Sequence, residues 1–391
     1  MKRLALLPLT ALLLSACTGT VETLPALRLA VLADGGASLR TVTTGGGGGG
    51  STLAPAPVVG PSVAVTGGVA VDTLPGGEAR LLLTRREGLE SRNADLADVR
   101  PFAPAFEAPG FVPPCFVTTA LNAGRDRILS LSQCETGGVL NGTQQLALYR
   151  TDGTLVWRAA VGGAAVVTGT DVPPVRVAVV RRADGVDVAV VARPALGGGS
   201  EVVRVAVTAP GADRAEPGLP VLSPVPIRDL APAPNGSAIY AATDTGVQPL
   251  GTTGVPTADD ALDAFGTGRV DRVWTSAGSG VAGRTLIAAW RDPRVSGLGT
   301  EPLRLWDASG TRNEALAVNS FADLRDVTFA PDGFLYALTA TSLTGYDTVI
   351  GLGSGTTGGT VNWRPVTLIS TLNDARGVTW LVPRPPATSR R

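Results

Sequence analysis

The sequence predicts an all-β protein in which small antiparallel sheets repeat around a central axis: a β-propeller of seven blades. Three observations support this fold class. Residues 325–339 (RDVTFAPDGFLYALT) contain two apolar strands around a turn, and residues 228–243 (RDLAPAPNGSAIYAAT) are a diverged copy. These copies are separated by roughly twice the ~40–50-residue period of a four-stranded blade. A truncated third copy, residues 376–381 (RGVTWL), lies close to the end of the chain.

The turns of the two full copies have the same chemistry. Proline is followed by Asn235 and Gly236 in one copy and by Asp332 and Gly333 in the other. Proline presets φ at the first corner, the Asx side chain accepts a hydrogen bond from its own backbone, and glycine adopts the positive φ that reverses the chain. Each copy is therefore predicted to be a tight β-hairpin.

The amino-acid composition favours β-strands and excludes several kinds of catalytic and metal-binding site. The chain has 391 residues, 44% of them apolar, with 50 Gly and 30 Pro, and its abundant valine and threonine favour strands over helices. The formal net charge is zero, so the balance gives no indication of a nucleic-acid partner. Histidine is absent and Lys2 is the only lysine. Ser-His-Asp and Cys-His catalysis, imidazole metal sites and Schiff-base chemistry are thereby excluded. We predict no catalytic residue, no cofactor site and no metal site.

The N-terminus predicts export. Lys2 and Arg3 precede an apolar run at residues 4–14 that is too short to span a bilayer, which is typical of a secretory signal. The run leads into Leu-Ser-Ala-Cys17, which resembles the lipobox of bacterial lipoproteins. The resemblance implies a signal peptide at residues 1–16 and acylation of Cys17.

In such lipoproteins the acylated cysteine becomes the new N-terminus. We therefore expect a lipidated tether at residues 17–25 and a single propeller domain at residues 26–391. Several acyl chains anchor a protein firmly at a membrane that it does not cross. The protein would thus be bound to the cell envelope, and Thr18, in place of the aspartate that retains lipoproteins at the inner membrane, favours the outer membrane if one exists. The alternative is an ordinary signal peptide with an incidental cysteine.

The two other cysteines, Cys115 and Cys134, flank a predicted strand-turn-strand unit. In an exported domain disulfides form and persist. With Cys17 acylated these two are the only available pair, so we predict a disulfide that links the strands of one blade. Two free thiols are the alternative.

Further strands follow from period-two patterns and from apolar runs bounded by turn residues. They are predicted at residues 27–31, 39–42, 63–71, 79–84, 116–119, 128–131, 146–149, 155–158, 175–180, 186–191, 202–207, 286–290, 303–306 and 315–318. Thr257–Phe265 is predicted to be one capped helix. The proline-rich stretch 91–114 is predicted to fold over a blade edge with Phe102, Phe106 and Phe111 in grooves, or else to form a partner surface. The tryptophans are assigned to blade cores by default.

The two chain ends are predicted to close the ring. The strand at 376–381 has no partner of its own, and the strands at 27–31 and 39–42 are equally unpaired at the other end, so pairing them completes one blade. With this composite blade the predicted number of blades is seven. Six or eight blades are the alternatives, because the sequence pattern does not define the unit boundaries sharply. The other six units lie near residues 60–95, 115–160, 165–210, 225–275, 280–320 and 325–370.

The Asx-Gly hairpins resemble those of NHL, SMP-30-like and other secreted propellers. Propeller hydrolases related to lactonases hold calcium with acidic and amide side chains in the central channel. Here the resemblance implies four candidate ligands: Asp229, Asn235, Asp326 and Asp332. Against this, Asn235 and Asp332 are accounted for by the turns, and Asp229 and Asp326 recur at equivalent repeat positions, as structural residues do.

The leading functional hypothesis is therefore a non-catalytic, lipid-anchored propeller. It would present a rigid face to a protein partner in the cell envelope, as a scaffold or interaction subunit. One alternative is a calcium-dependent, lactonase-like hydrolase. Another is a protein that binds a carbohydrate or other small ligand in the central channel, which would show itself as acidic and aromatic side chains converging there.

Overall fold

The computed structural model describes residues 27–44, 56–76, 78–104, 115–136, 139–140, 143–163, 166–207, 212–353 and 361–383. The protein is 51% strand and 6% helix, and seven antiparallel sheets form a seven-bladed β-propeller. This confirms the predicted fold class and blade count. The predicted signal peptide and the tether with Cys17 lie outside the described residues.

Blades are numbered along the chain, and the strands of each are given from the axis outward. Blade 1 contains Gly68–Leu74, Arg80–Arg85, Gly88–Arg92 and Arg100–Pro101. Blade 2 contains Phe116–Leu121, Arg127–Ser132, Thr143–Arg150 and Leu155–Gly163. Blade 3 contains Arg176–Arg181, Asp187–Pro194, Ser200–Ala206 and an outer edge shared by Glu216–Pro217 and Val221–Ser223. Blade 4 contains Ile227–Pro232, Ile239–Thr243 and Gly246–Pro249.

The remaining blades complete the ring. Blade 5 contains Arg272–Thr275, Leu286–Trp290, Glu301–Asp307 and Leu316–Phe321. Blade 6 contains Leu324–Phe329, Phe334–Thr339, Leu343–Asp347 and Val366–Ile369. Blade 7 contains Gly377–Leu381, Arg28–Ala33, Ser38–Thr43 and an outer edge of Val58–Val59 and Val63–Ala64. Outside the blades, Glu135–Thr136 pairs with Val139–Leu140, and short helices cover Asp34–Gly36, Ala258–Asp260, Asp263–Phe265, Pro293–Ser296 and Thr348–Gly353.

Blade 7 joins the two ends of the chain. Gly377–Leu381 pairs antiparallel with Arg28–Ala33, in a register that sets Val378 opposite Val31 and Trp380 opposite Leu29. Leu29 and Val31 are fully buried and Val378 is buried beside them, so the closing pair is part of the core. The predicted closure of the ring by its terminal strands is confirmed.

The core consists of side chains packed between neighbouring blades. One cluster combines Leu129 and Trp157 of blade 2 with Val177 and Val203 of blade 3. The second strand of blade 2, Arg127–Ser132, is buried along its whole length. A strand covered on both faces by neighbouring sheets needs no polar face, which accounts for the continuous apolar runs in the sequence.

Blade 4 differs from the prediction at Thr257–Phe265, which forms two separate 3₁₀ turns and not one helix. Within the described residues no fourth strand pairs with the outer edge of Gly246–Pro249. The segment Thr257–Phe265 covers this edge instead, because the N–H groups of Thr257 and Leu262 donate to the carbonyl oxygens of Pro249 and Val247. Those edge acceptors compete with helical hydrogen bonds, and the Thr257 hydroxyl donates to Pro249 as well, so it does not cap a helix. The predicted unit near 225–275 also extends too far, because Arg272–Thr275 begins blade 5.

The two predicted hairpin turns form as expected. Gly236 and Gly333 have φ values of 71° and 89°, in the left-handed region that favours glycine. Asn235 Oδ1 accepts from the N–H of Ser237, and Asp332 Oδ1 accepts from the N–H of Phe334. The side chains of both Asx residues therefore stabilise the turns.

The predicted disulfide is present in blade 2. Cys115 precedes the innermost strand and Cys134 follows the second strand, so the bond closes the hairpin at the end opposite its turn. In the stretch 91–114, Phe102 is buried and its ring centroid lies 5.8 Å from that of Tyr149, which supports its groove-filling role. Phe106 and Phe111 lie outside the described residues. In the described part of the chain, none of the helices has the length and apolar character needed to cross a bilayer.

Candidate functional site

The innermost strands of the blades surround an axial channel that holds a cavity of about 750 Å³. Its size is in the range of cavities that bind metabolites. Charged and aromatic side chains converge on it. They include Asp72, Arg176, Asp229, Arg272, Trp274 and Asp326.

Asp229 and Asp326 occupy equivalent places in blades 4 and 6. In each innermost strand the register shifts just before the aspartate, between Ile227 and Asp229 and between Leu324 and Asp326. Such a bulge re-aims the side chain that follows it. Asp229 accepts from the N–H of Val273 in blade 5, and Asp326 from that of Val378 in blade 7. Each carboxylate thus connects its blade to the next one.

Asp229 also binds two arginines, one from each neighbouring blade. Arg176 Nε of blade 3 lies 2.8 Å from Asp229 Oδ1, and Arg272 Nε of blade 5 lies 3.1 Å from Oδ2. Each arginine is the first residue of its innermost strand. The arrangement brings two positive charges and one negative charge together at the wall of the channel.

Trp274 connects this group to Asp326. The Arg272 guanidinium lies 4.8 Å from the centroid of the Trp274 ring, which is a cation–π contact. The Trp274 indole N–H donates to Asp326 Oδ1 at 3.0 Å. The relative orientation of these side chains is therefore held by direct contacts through three successive blades.

Burial raises the pKa of Asp326 from 3.8 to about 6, and the Arg272 cation and the hydrogen bonds to Val378 and Trp274 oppose this shift only in part. The folded protein therefore binds this proton more tightly than the unfolded chain does. The resulting stabilisation is fully present below the unfolded pKa of 3.8 and is lost as the pH rises through about 6.

We expect the fluorescence of Trp274 to titrate with a midpoint near pH 6, because ionisation of Asp326 changes the acceptor of its indole N–H. The measurement is tryptophan emission between mildly acidic and mildly basic pH. Trp274→Phe should remove the transition although five of the six tryptophans remain, and so should Asp326→Asn. A transition that persists in Asp326→Asn would assign it to another group.

The four proposed calcium ligands do not form one site. Asp229 and Asp326 line the channel, whereas Asn235 and Asp332 are committed to their hairpin turns. Asp332 also accepts from the Tyr336 hydroxyl at 2.6 Å. Across the described residues, no three acidic, cysteine or histidine side chains are grouped so that they could hold a metal ion. Asp229 and Asp326 each make contacts with a neighbouring blade, which agrees with the interpretation that they are structural residues at equivalent positions of the repeat.

Sequence reasoning missed Arg176, Arg272 and Trp274. Nearly all basic residues of the chain are arginines, so nothing in the composition distinguished Arg176 and Arg272 from the others. Their shared position as the first residue of an innermost strand is the signal that could have identified them. The default assignment of tryptophans to blade cores holds for Trp157, Trp290 and Trp363, which are buried. It is incomplete for Trp274, which packs against a core cluster and also lines the channel.

The fold and channel define the class, a seven-bladed β-propeller with a charged axial cavity. Neither protein-family models nor curated protein sequences give a match. Among solved structures, the chain is similar to a proposed 6-phosphogluconolactonase from Bacteroides uniformis, with 15% identity, a TM-score of 0.53 and coverage of 91% of this chain and 100% of the other. This likeness shows the fold.

Two weaker similarities are to other propeller-containing structures. The PQQ-bound aldose sugar dehydrogenase from Streptomyces coelicolor has 10% identity, a TM-score of 0.39 and coverage of 81% of this chain and 85% of the other. The β-propeller domain of the Trilobed protease from Pyrococcus furiosus has 10% identity, a TM-score of 0.40 and coverage of 82% and 93%.

Proposed function

We propose that the protein is a non-catalytic binding protein of the cell envelope, tethered by an acylated Cys17, whose propeller takes a small ligand in its axial channel. The observation that carries this proposal is the convergence of charged and aromatic side chains on a cavity of about 750 Å³. The contacts of Asp229 and Asp326 support a binding role over a catalytic one, because their oxygens already accept bonds from neighbouring blades. The disulfide is in keeping with export.

Binding of a small ligand is tested by measuring the Tm of the protein with each of a panel of neutral and charged metabolites. A ligand that binds only the folded state stabilises it by RT ln(1 + [L]/Kd), or ~2.7 kcal/mol at a hundredfold excess over Kd. At least one compound class should raise the Tm. If every class leaves the Tm unchanged, the axial binding function is wrong.

Replacing Cys17 by serine is expected to move the protein from the membrane to the soluble exported fraction, because serine lacks the thiol that is acylated. Fractionation followed by immunoblotting measures this. Thr20→Ser is the matched control, since it changes a residue of the same predicted tether, leaves Cys17 intact and should remain with membranes. Membrane association that survives in Cys17→Ser would contradict the anchor.

In the scaffold hypothesis the same lipid-anchored propeller binds a protein partner. Blade 3 exposes Leu219 and Leu222 at its outer edge, where they are 88% and 61% exposed, and Leu196 in the turn between its second and third strands, where it is 74% exposed. Exposed apolar side chains on one edge favour a protein contact. Affinity purification from detergent-solubilised envelopes should recover a stoichiometric partner, and isolation as a lone protein would count against the scaffold role.

A lactonase-like hydrolase is the second candidate function, and the likeness to the Bacteroides uniformis protein together with the size of the cavity supports it. It would require calcium in the channel next to Asp229 and Asp326. Metal analysis of the purified protein tests it: bound calcium, with a Tm that falls on chelation, would favour the hydrolase over the non-catalytic role.

A further inference from the structure

The axial channel has more positive than negative side chains. Among the described residues that line it, six are arginines and three are aspartates: Arg86, Arg125, Arg176, Arg272, Arg325, Arg376, Asp72, Asp229 and Asp326. Inside a protein, charges interact more strongly than in water because the local dielectric is low. An imbalance of this kind attracts anions into the channel.

Three of these arginines have a carboxylate of their own. Arg125 Nη1 lies 2.5 Å from Asp72 Oδ1. Arg325 Nε lies 2.8 Å from Asp323 Oδ1, and Arg376 Nη2 lies 3.4 Å from Asp374 Oδ2. Neutralisation by these neighbours makes them poor candidates for a ligand.

Arg176 and Arg272 differ because they share the single carboxylate of Asp229. In both ion pairs the nitrogen next to Asp229 is Nε and not a terminal nitrogen. Arg272 Nη1 donates to the carbonyl oxygen of Arg325. Within the described part of the chain, no hydrogen bond is formed by Arg272 Nη2 or by either terminal nitrogen of Arg176.

These free donors can be reached from the cavity. The side chains of Arg176 and Arg272 are 26% and 29% exposed, whereas that of Asp229 is 11% exposed. Burial lowers the pKa of the Arg176 guanidinium from its ordinary value. The Asp229 carboxylate opposes this shift only in part, and the nearby Arg272 cation adds to it. An anion between the two guanidinium groups would relieve the repulsion between them and would use the unbonded donors.

The two arginines are also held in place before any ligand arrives. Asp229 accepts a hydrogen bond from Arg272 Nε and forms an ion pair with Arg176. Trp274 lies against Arg272 while its indole N–H donates to Asp326. Side chains already ordered lose little conformational entropy on binding. Paired guanidinium groups with parallel N–H donors match the oxygens of carboxylate and phosphate groups.

We infer that Arg176 and Arg272 form the binding site for a small organic anion, one that carries a carboxylate or phosphate group, in the axial channel. The inference rests on the proposed axial binding function and names the chemical class of its ligand. The anionic group lies between the two guanidinium groups, and the rest of the molecule occupies the cavity. Asp229 and Trp274 act as positioning residues for the arginines.

The test is isothermal titration calorimetry of the full chain in detergent at low ionic strength, with citrate and inorganic phosphate as anionic probes and glucose as a neutral probe. We expect one of the anions to bind, with an affinity that falls as salt is added. Arg176→Gln and Arg272→Gln should each weaken binding by about tenfold or more, the usual consequence of removing a charge-assisted hydrogen bond. Arg176→Lys, which keeps the charge but loses the two-nitrogen geometry, should lie in between.

Arg181→Gln is the matched control. Arg181 ends the same strand that Arg176 begins and pairs with Asp126 outside the cavity lining, so anion binding should be unchanged. Circular dichroism confirms folding, and the lysine variant decides the result if a glutamine variant unfolds. Equal anion affinity in wild type, Arg176→Gln and Arg272→Gln overturns the inference. Binding of glucose without either anion overturns the inference but leaves the axial function standing, whereas no binding of any probe counts against both.

Discussion

Replacing Thr379 by proline is expected to open the ring and to lower the free energy of unfolding by on the order of 3 kcal/mol. Thr379 lies opposite Ala30 in the closing pair of blade 7. Val378 donates its N–H to Asp326, away from that partner strand. Because N–H directions alternate along an antiparallel strand, the N–H of Thr379 points toward Ala30, and proline would remove it. Urea unfolding measures the loss.

Two control variants distinguish loss of the closing strand pair from loss of the Thr379 side chain and from the general effect of a proline in a strand. Thr379→Val keeps the backbone donor and removes only the hydroxyl, which lies 2.5 Å from the Thr73 hydroxyl of blade 1, so its cost should be the smaller. Val366→Pro places the same proline at the first residue of the outermost strand of blade 6, where the side chain is 41% exposed. Sheets tolerate proline at such positions. Equal losses from Thr379→Pro and Val366→Pro would mean that stability does not depend on the closing pair.

Removing the disulfide is the second change with a large expected effect. Cys115 and Cys134 close a loop with a sequence separation of 19, and constraining a loop of this length in the unfolded chain contributes about 3 kcal/mol. Both residues are buried, so alanine is the appropriate replacement. The double variant Cys115→Ala/Cys134→Ala should lose about that free energy of unfolding while its circular dichroism spectrum stays unchanged.

Wild-type protein treated with a reductant is the control for the disulfide, because it breaks the same bond with no change of sequence. Its unfolding midpoint should coincide with that of the double variant. A reductant that leaves the wild-type midpoint unchanged, in protein verified to be reduced, would show that the hairpin of blade 2 is held by its strand pairing alone.

The functional site is predictable from sequence only in part. The repeat pointed to Asp229 and Asp326 as equivalent residues, and both lie on innermost strands beside the channel. It gave no means to group them with Arg176 or Arg272, because these residues belong to different blades and meet only when the sheets are arranged around the axis. The helix predicted at 257–265 failed for a related reason. The segment has the local signals of a helix, but the N–H groups of Thr257 and Leu262 donate to carbonyl oxygens on the open edge of blade 4 instead.

The sequence by itself determined most of the strands, the Asx-Gly turns, the disulfide pair and the union of the two chain ends. The single strand predicted at 63–71 is wrong, because this run is divided between Val63–Ala64 of blade 7 and Gly68–Leu74 of blade 1. The confirmed features depend on short-range properties: the period of apolar side chains, the φ values that proline and glycine allow, and the requirement that edge strands find partners. The tertiary structure alone decided which side chains face the axis and which charges lie together. A register shift of one residue re-aims an aspartate, and contacts between blades join residues far apart in sequence, so neither can be read from a local pattern.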